Sequence, residues 1–570
     1  MRILFEDYHY DKGAVPQLEG LSPIELTEGK VKLPYVGYYY DAHEGATFIL
    51  PKVFIKVEAK ELKAFGHYQP EALMTTSGIE SLVSPEHKAF LFGVSAWLYQ
   101  AIALFNTRHT SNEITSSRSL AGLVGNRGEG EATLIDHVLA LLRFAREHRQ
   151  LFTYLAIIKH SGNSKIHWTK TIRQTQPHLH EGKPYYLQCK TKGKVINYDE
   201  ELIVLFFSTL GYLAETYHFA VPRSLNYPTL RPSRVAQMIE LGKGTRQLKK
   251  IRSKYFTDEL VALWGLLYAF YEQAERVAQR KEYSERLLVR NFNIVFEDMI
   301  DMLIGESSLP KGLKEQKDGK IIDHIYRDKS LVDTGDIYFI GDSKYYQEGN
   351  EVGESSLYKQ FTYAKNVIQY HIDIFNGRCA GKLEGNKLPY RDELTEGYNP
   401  TPNFFVRGFV DSDDLSYGNV KLEKKDKVDC NYHFTNRLFD RDTLHVLTYN
   451  INFLYVLSAY VQSHGTSNRV NTFLRKRFRD DIVKAFEEAY SFYRLTPLNG
   501  LTPEEFVERY FRKLIGKIYR TTEGVLLLAL KYDEEENGQL KEENRQLLEH
   551  ISLDADCSEL SSLAELWAAD

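Results

Sequence analysis

Hydrophobic and polar positions change their period along the chain, and these changes predict its regions. Residues 1–80 contain short apolar runs separated by turn-forming residues, which indicates strands. Ser84 and Pro85 then form a helix start, and helical spacing of apolar residues continues to about residue 280, interrupted over residues 161–195 by a predicted loop and hairpin. The pattern therefore predicts a strand-rich N-terminal domain over residues 1–80. It also predicts a mainly helical domain over residues 81–280, which we assign to partner docking or DNA binding.

Residues 320–346 predict two short strands joined by a polar turn. Each strand carries one carboxylate where the apolar context predicts none, and these are Asp323 and Asp342. If the strands pair side by side, the two carboxylates meet at one end of a sheet. Lys344 follows Asp342 by two residues and therefore points to the same face.

Two carboxylates and one ammonium group at a sheet edge suit a hard divalent cation and a phosphodiester. Other D/E-x-K triplets, such as the one that begins at Glu61, lie in charged or turn-like context, where a solvated surface is the simpler interpretation. The triplet at Asp342 differs, because it ends an apolar strand and has a second acid one hairpin upstream.

The flanking segments predict the order helix, hairpin, helix, strand. Residues 285–305 have apolar positions at helical spacing and carry Glu297, for which an exposed helix-face position is an equal alternative. Residues 355–370 predict a second helix with Gln360, where a surface amide is the equal alternative. Residues 404–411 predict a further strand.

This arrangement resembles the PD-(D/E)XK nuclease superfamily, in which one acid sits on a strand and the D/E-x-K triplet on the next. Asp323 matches the first acid, and Ile322 replaces the proline usually written before it. The resemblance implies an α/β core with a mixed sheet flanked by helices, and Mg²⁺ as cofactor. The implied catalytic residues are Asp323, Asp342, Lys344, Glu297 and Gln360, and the implied Mg²⁺ ligands are Asp323, Asp342, Ser343 through its main-chain carbonyl, and Glu297.

The predicted fold class is α+β with several domains. The nuclease core spans residues 281–412 and a helical C-terminal extension spans residues 413–532. Residues 533–570 are acidic and weakly patterned, which predicts a mobile tail.

Composition narrows these interpretations. The chain has 570 residues, too many for one core, and its 43% apolar and 26% charged content is typical of globular proteins. The net charge of −5 requires any DNA-binding surface to be a local patch. The four cysteines lie far apart and form no CxxC pair, which fits a reducing cytosol. The start of the chain has no signal-peptide core, and the longest apolar run, residues 202–214, is too short for a membrane span, so we expect a cytoplasmic protein.

Several landmarks together resemble the McrC-like nuclease subunits, particularly the LlaJI-type restriction endonucleases. They are the strand-rich N-terminal region, KIHWTKTI at residues 165–172, the helix with Glu297, and IGDSKYY at residues 340–346. The resemblance spans about residues 1–460. It implies a Mg²⁺-dependent endonuclease subunit of an antiviral restriction system, acting on double-stranded DNA. It also implies a separate McrB-like AAA+ GTPase ring, on which the N-terminal half docks.

Two alternatives remain open. A stand-alone PD-(D/E)XK nuclease of another defence or repair system would need no GTPase. A DNA-binding scaffold subunit would keep the fold without catalysis, although the complete Asp/Asp/Lys set favours an active site. The chain itself is not expected to bind a nucleotide, because its one phosphate-loop-like stretch, residues 242–245, fails at two required positions.

Overall fold

A computed structural model gives the structure of the protein, and most of the chain is described. The described residues are 1–15, 21–41, 45–58, 60–110, 123–125, 132–149, 155–159, 165–195, 201–219, 228–279, 283–310, 312–316, 319–375, 390–430, 434, 436–462, 467–533, 535 and 538–566. They form a mixed α/β structure with several sheets, which agrees in outline with the predicted α+β class.

Helices occur in every region of the described chain. They are α1 (Thr76–Leu82), α2 (Pro85–Thr110), α3 (Leu134–Glu147), α4 (Trp168–Gln174), α5 (Glu201–Tyr217), α6 (Pro232–Glu240), α7 (Lys243–Ile251), α8 (Asp258–Gln279), α9 (Phe292–Ile304), α10 (Glu354–Phe375), α11 (Phe453–Gln462), α12 (Ser467–Ala489), α13 (Pro503–Leu514) and α14 (Glu542–Ile551). Short 3-10 helices lie at Thr27–Gly29, Lys52–Phe54, Pro70–Leu73, Arg252–Lys254 and Leu563–Leu566.

Strands are short in the N-terminal half and longer around the candidate site. The N-terminal strands are β1 (Arg2–Phe5), β2 (Tyr10–Asp11), β3 (Ile24–Glu25), β4 (Lys30–Lys32), β5 (Val36–Asp41), β6 (Gly45–Leu50), β7 (Ile55–Glu58), β8 (Glu61–Ala64), β9 (Leu123–Gly125), β10 (Leu155–Lys159), β11 (His178–His180), β12 (Lys183–Tyr185), β13 (Thr191–Val195) and β14 (Ser284–Val289). The later strands are β15 (His324–Lys329), β16 (Asp336–Lys344), β17 (Asn403–Phe409), β18 (Leu422–Cys430), β19 (His445–Asn452), β20 (Tyr490–Pro497), β21 (Ile518–Arg520), β22 (Leu526–Lys531) and β23 (Ala555–Glu559).

The N-terminal sheet has the strand order β1-β6-β5-β14-β9. Its member β14 follows the helical region in sequence, so most of that region is inserted between two strands of one sheet. The helix predicted over residues 285–305 is therefore only partly correct: the helix α9 begins at Phe292, and residues before it form β14. The reason is tertiary, because β14 is paired on one side with β5 and on the other with β9.

A second five-stranded sheet holds the candidate site and has the order β15-β16-β17-β19-β18. Strands β16, β17 and β19 run parallel, while β15 and β18 are antiparallel edge strands. Helix α10 and strand β17 lie where sequence periodicity predicted a helix and a strand. The sheet continues to Asn452, so the predicted boundary at residue 412 falls inside it.

The first strand of the predicted hairpin begins at His324 and not near Ile321. Ile321 instead forms an isolated bridge with Glu315, and the Ile322 N–H donates to the Lys314 carbonyl at 3.0 Å. These bonds turn the chain before the strand begins. Asp323 therefore immediately precedes β15, whereas Asp342 and Lys344 lie on β16 as predicted.

The turn of this hairpin is buried against the C-terminal region. Asp333 is 1% exposed and accepts hydrogen bonds from the Tyr519 hydroxyl at 2.8 Å and the Thr522 hydroxyl at 2.6 Å. A buried carboxylate with several donors is well satisfied and fixes the turn. The polar turn expected from the sequence is thus an anchor between two sheets.

The C-terminal sheet has the order β21-β22-β20-β23, so the extension predicted as helical contains strands as well as helices. The described part of residues 533–570, where the sequence predicts a mobile acidic tail, includes α14 and β23. Leu547, Ile551 and Ala555 are buried in one cluster with β22 residues. These few apolar positions are enough because the sheet provides the rest of the core.

Helix α2 is long and apolar enough to cross a membrane by length and composition, and 56% of its most apolar window is buried inside the protein. Val94, Leu98 and Ile102 on this helix are fully buried in the main core. The burial of α2 matches that of a core helix.

Candidate active site

The carboxyl groups of Asp323 and Asp342 meet in the second sheet, at the point where β15 begins beside β16. His324 pairs with Gly341 in the antiparallel register of β15 and β16, which sets Asp323 across from Asp342. The Ser343 N–H donates to Asp323 Oδ2 at 3.1 Å, and burial and then the charge of Asp342 raise the pKa of Asp323, as expected for neighbouring carboxyl groups. The structure therefore brings together the two acids that sequence analysis selected.

Gly341 is required at this point of the strand. A Cβ atom at residue 341 would lie 2.3 Å from the ring of Phe404, its partner across the parallel pair β16–β17. Because the Phe404 ring covers this position, only glycine lets the strand pass and bring Asp342 to the sheet edge.

Lys344 lies on the same strand face as Asp342 and forms an ion pair with it. Its ammonium group is also 5.5 Å from the centre of the Phe405 ring, and its side chain is 12% exposed. Burial and an aromatic neighbour limit its motion, so the cation is held beside the carboxylates.

Glu297 projects from α9 toward the same carboxylates. Burial raises the pKa of Glu297 to about 7, an effect that the Asn293 side chain opposes by hydrogen bonding and the charge of Asp342 reinforces. Burial also raises the pKa of Asp323 well above its usual range, and the charges of Asp342 and Glu297 add to this shift. The site thus concentrates more negative charge than its surroundings neutralise.

The donor set fits Mg²⁺ with few protein ligands. Among the described residues, no three His, Cys, Asp or Glu side chains close around a metal ion. Asp323 and Asp342 nevertheless present adjacent oxygen donors, and Mg²⁺ commonly takes one or two carboxylates and keeps several waters. The crowding of acidic groups, expressed in the raised pKa values of Asp323 and Glu297, is the imbalance that a divalent cation would relieve.

Gln360 lies in α10 and is fully buried, away from the solvent-filled side of the site. Its amide nitrogen Nε2 donates to the Ile340 carbonyl and to Asn403 Oδ1, each at 3.2 Å. Gln360 therefore supports the strand two residues before Asp342. Two other α10 residues, Lys359 and Tyr363, lie near the site. Burial lowers the pKa of Lys359, but the charges of Asp342 and Asp323 contribute to a net rise, and burial and the same two charges raise the pKa of Tyr363.

A buried network on the other side of the strand was missed by sequence reasoning. The ring of His324 is fully buried, with Nε2 2.6 Å from Ser343 Oγ and Nδ1 3.4 Å from Asp301 Oδ1. Lys314 completes the network by pairing with Asp301 at 2.6 Å. Burial lowers the pKa of His324, and Asp301 can only accept, so Nδ1 carries the proton and Nε2 accepts from the Ser343 hydroxyl. The only sequence signal was a histidine next to the first acid.

A cleft of about 520 Å³ opens beside the site, lined on one side by Glu297 and Lys344. The opposite wall belongs to the N-terminal region and includes Glu6 and Lys52. The hydroxyl of Tyr345 donates to the buried Glu6 carboxylate and accepts the Lys52 N–H at 3.1 Å. These bonds attach the end of strand β16 to the N-terminal region, so both regions line the cleft.

Comparisons with known proteins give one structural similarity. No protein-family model matches the chain, and no curated protein matches it significantly. A solved structure that is similar is the half-complex from the tetradecameric assembly of Thermococcus gammatolerans McrB AAA+ hexamers with bound McrC. The identity is 12%, the TM-score is 0.29, and the match covers 85% of this chain and 99% of that chain. We therefore infer function from the geometry of the carboxylate site.

We expect Glu297→Gln to stabilise the metal-free protein at pH 8 and not at pH 4.5. The folded state holds the Glu297 proton up to about pH 7, so the contribution of this group to stability is lost as pH rises from 4.5 through 7. A rise in pKa of this size corresponds to roughly 3 kcal/mol of unfolding free energy at most. Thermal unfolding in EDTA across this pH range measures the effect, with the exposed Glu508→Gln as control. A difference in unfolding temperature between the wild type and Glu297→Gln that stays the same at all pH values would contradict the assigned burial of Glu297.

We also expect His324→Phe and Ser343→Ala to be coupled in stability. His324→Phe leaves the buried Ser343 hydroxyl without its acceptor, which costs about 1–3 kcal/mol of unfolding free energy. Once His324 is Phe, Ser343→Ala should cost less than in the wild type, giving an interaction energy on the order of 0.5–3 kcal/mol by urea unfolding. The buried Ser458→Ala, combined with His324→Phe, is the additive control. Additivity of the His324 and Ser343 changes would argue against the network.

Proposed function

We propose that the protein is a Mg²⁺-dependent endonuclease that hydrolyses phosphodiester bonds of double-stranded DNA, and that it is the nuclease subunit of a restriction system. The supporting observation is the meeting of Asp323, Asp342 and Lys344 at one sheet edge beside an open cleft. This is the constellation that metal-assisted phosphodiester hydrolysis needs.

Asp323 and Asp342 would hold the metal, together with the main-chain carbonyl of Ser343. Glu297 would act directly or through a water molecule. When bound, Mg²⁺ lowers the pKa of a coordinated water and offsets charge on the scissile phosphate. The described residues contribute rigidity: the sheet register fixes the two aspartates, and the Ser343 N–H orients the Asp323 carboxylate.

Lys344 would orient the attacking water or stabilise charge that develops on the phosphate. Its ammonium group is largely shielded from solvent and already lies beside Asp342. A preorganised cation in such a site contributes about 3 kcal/mol to the transition state, because little reorganisation is needed during reaction. The Lys344–Asp342 pair would rearrange when the carboxylate binds metal, and the ammonium group would then be available to substrate.

The proposed partner is a McrB-like AAA+ GTPase. This part of the proposal comes from the resemblance of the sequence landmarks to McrC-like subunits. The McrC of the similar solved structure is bound to McrB AAA+ hexamers. The large region outside the second sheet offers surface for such docking. DNA cleavage would take place in the cytoplasm, where the DNA substrate is found.

Asp342→Ala and Lys344→Ala are expected to abolish Mg²⁺-dependent cleavage of duplex DNA while leaving the fold and DNA binding largely intact. Loss of a metal ligand or of the fixed cation should lower the rate by at least 10²-fold. A nicking assay with a supercoiled plasmid measures the rate, and circular dichroism checks the fold. Lys63→Ala is the matched control, because Glu61-Leu62-Lys63 is also a D/E-x-K triplet but lies on the exposed strand β8. Full cleavage by Asp342→Ala would refute the assignment, and absence of cleavage by the wild type with every divalent cation would favour the scaffold alternative.

With a McrB-like partner, the chain is expected to raise the rate of GTP hydrolysis, and Asp342→Ala should keep this stimulation while losing cleavage. The reason is that the resemblance to McrC-like subunits implies docking through the N-terminal half of the chain, whereas the carboxylate site lies on the second sheet. Phosphate release from GTP and DNA cleavage are measured in the same reactions. If the wild type cleaves DNA equally well without partner and GTP, the stand-alone nuclease is the better description.

A further inference from the structure

A second cleft, of about 510 Å³, lies between the β15–β16 hairpin and helix α12. Cations outnumber acids in its lining, which contains two acidic residues, Asp328 and Asp480. The whole chain carries a net charge of −5, so this local excess departs from the average surface. The cationic lining residues are Arg327, Lys329, Arg475, Lys476 and Arg479.

Two of these arginines are held rigidly by main-chain acceptors. Arg475 donates from Nε to the Ile304 carbonyl at 3.0 Å and from Nη2 to the Gly305 carbonyl at 2.9 Å. Its guanidinium also lies 4.4 Å from the centre of the Tyr326 ring. Arg479 donates from Nη2 to the Ser330 carbonyl at 3.2 Å. Carbonyl acceptors orient these side chains without cancelling their positive charge.

The remaining cations are more accessible. Lys476 is exposed on α12, and Lys329 pairs with Asp336 at 3.4 Å on an exposed edge. Exposed ion pairs of this kind are worth little, so a polyanion competes easily with Asp336. Rigid guanidinium groups combined with mobile ammonium groups are the side chains that contact DNA phosphates.

The position of the cleft relative to the carboxylates matters. Strand β15 runs from His324, next to Asp323, to Lys329 at the cleft. At about 3.3 Å per residue, this strand separates the two sites by roughly 20 Å. That distance corresponds to about six base pairs of duplex at 3.4 Å each. A single straight duplex could therefore contact the carboxylate site and the cleft at the same time.

We propose that this cleft binds the phosphate backbone of duplex DNA about half a helical turn from the bond that is cleaved. The inference rests on the proposed nuclease function for the identity of the polyanion. The cleft contributes affinity without sequence preference, because its lining offers charges to phosphates and not a pattern of donors and acceptors to bases.

The test is the salt dependence of DNA binding by the full chain. Fluorescence anisotropy with a duplex of about 30 base pairs, in EDTA and between about 50 and 200 mM salt, gives the slope of log K against log salt. We expect Lys329→Gln combined with Lys476→Gln to reduce the magnitude of this slope by about two, one for each lost phosphate contact. Lys484→Gln is the matched control, because Lys484 is exposed on the same helix but pairs with Glu488 outside the cleft.

Duplex length provides a second readout. Duplexes shorter than about six base pairs can occupy only one of the two sites at a time, so lengthening the duplex beyond this limit should raise the affinity of the wild type more than that of the double variant. An unchanged slope in the double variant overturns the proposal, as does the absence of duplex binding by the wild type. Binding of an acidic peptide at the cleft with no effect of the variant on DNA would also overturn it.

Failure of this inference and failure of the proposed function are distinguishable. If the double variant binds DNA like the wild type while Asp342→Ala abolishes cleavage, the cleft assignment falls and the nuclease stands. If the salt-dependence slope of the double variant is smaller but neither the wild type nor any variant cleaves DNA, the cleft assignment is supported and the proposed nuclease function is refuted.

Discussion

The proximity of two buried carboxyl groups, those of Asp323 and Asp342, is the constraint on which the rest of the region depends. Burial and then the charge of Asp342 raise the pKa of Asp323 well above its usual range, and two like charges this close would move apart if they were free. The ladder between β15 and β16 prevents this, because the register fixes both main chains. In the proposed nuclease, a bound divalent cation would offset this local cost in stability.

The hairpin that carries this geometry is held at both of its ends. At its turn, the carboxylate of Asp333 is bonded by Tyr519 and Thr522 of the C-terminal region. At the end of its second strand, Tyr345 is bonded by Glu6 and Lys52 of the N-terminal region. The N-terminal and C-terminal regions thus both contact the hairpin of β15 and β16, which carries the carboxylates.

Sequence patterns were sufficient for the parts of the site that break a local rule. Asp342 stood out because a carboxylate ended an apolar strand, and Lys344 followed from strand alternation. The helix α10 and the strand β17 were also predictable, since their apolar periodicity is strong. The assignment of catalytic roles to these residues stays a prediction.

Other features depend on contacts between distant parts of the chain, which periodicity does not contain. Strand β14 was predicted as helix because its pairing partners lie far away in sequence. The C-terminal strand β23 has few apolar residues and owes its order to pairing with β20. His324 could not be selected from the sequence, since a buried ring bonded to Asp301 and Ser343 is recognisable only when three separate segments are brought together.

The most direct test of the central claim is the position of a divalent cation in crystals grown with Mn²⁺ in place of Mg²⁺. The anomalous signal of manganese locates the ion independently of any activity. We expect one peak within about 2–2.5 Å of carboxylate oxygens of both Asp323 and Asp342, a normal ligand distance for such a cation. A well-ordered site that holds no cation at saturating Mn²⁺, or a cation bound only elsewhere, would contradict the account.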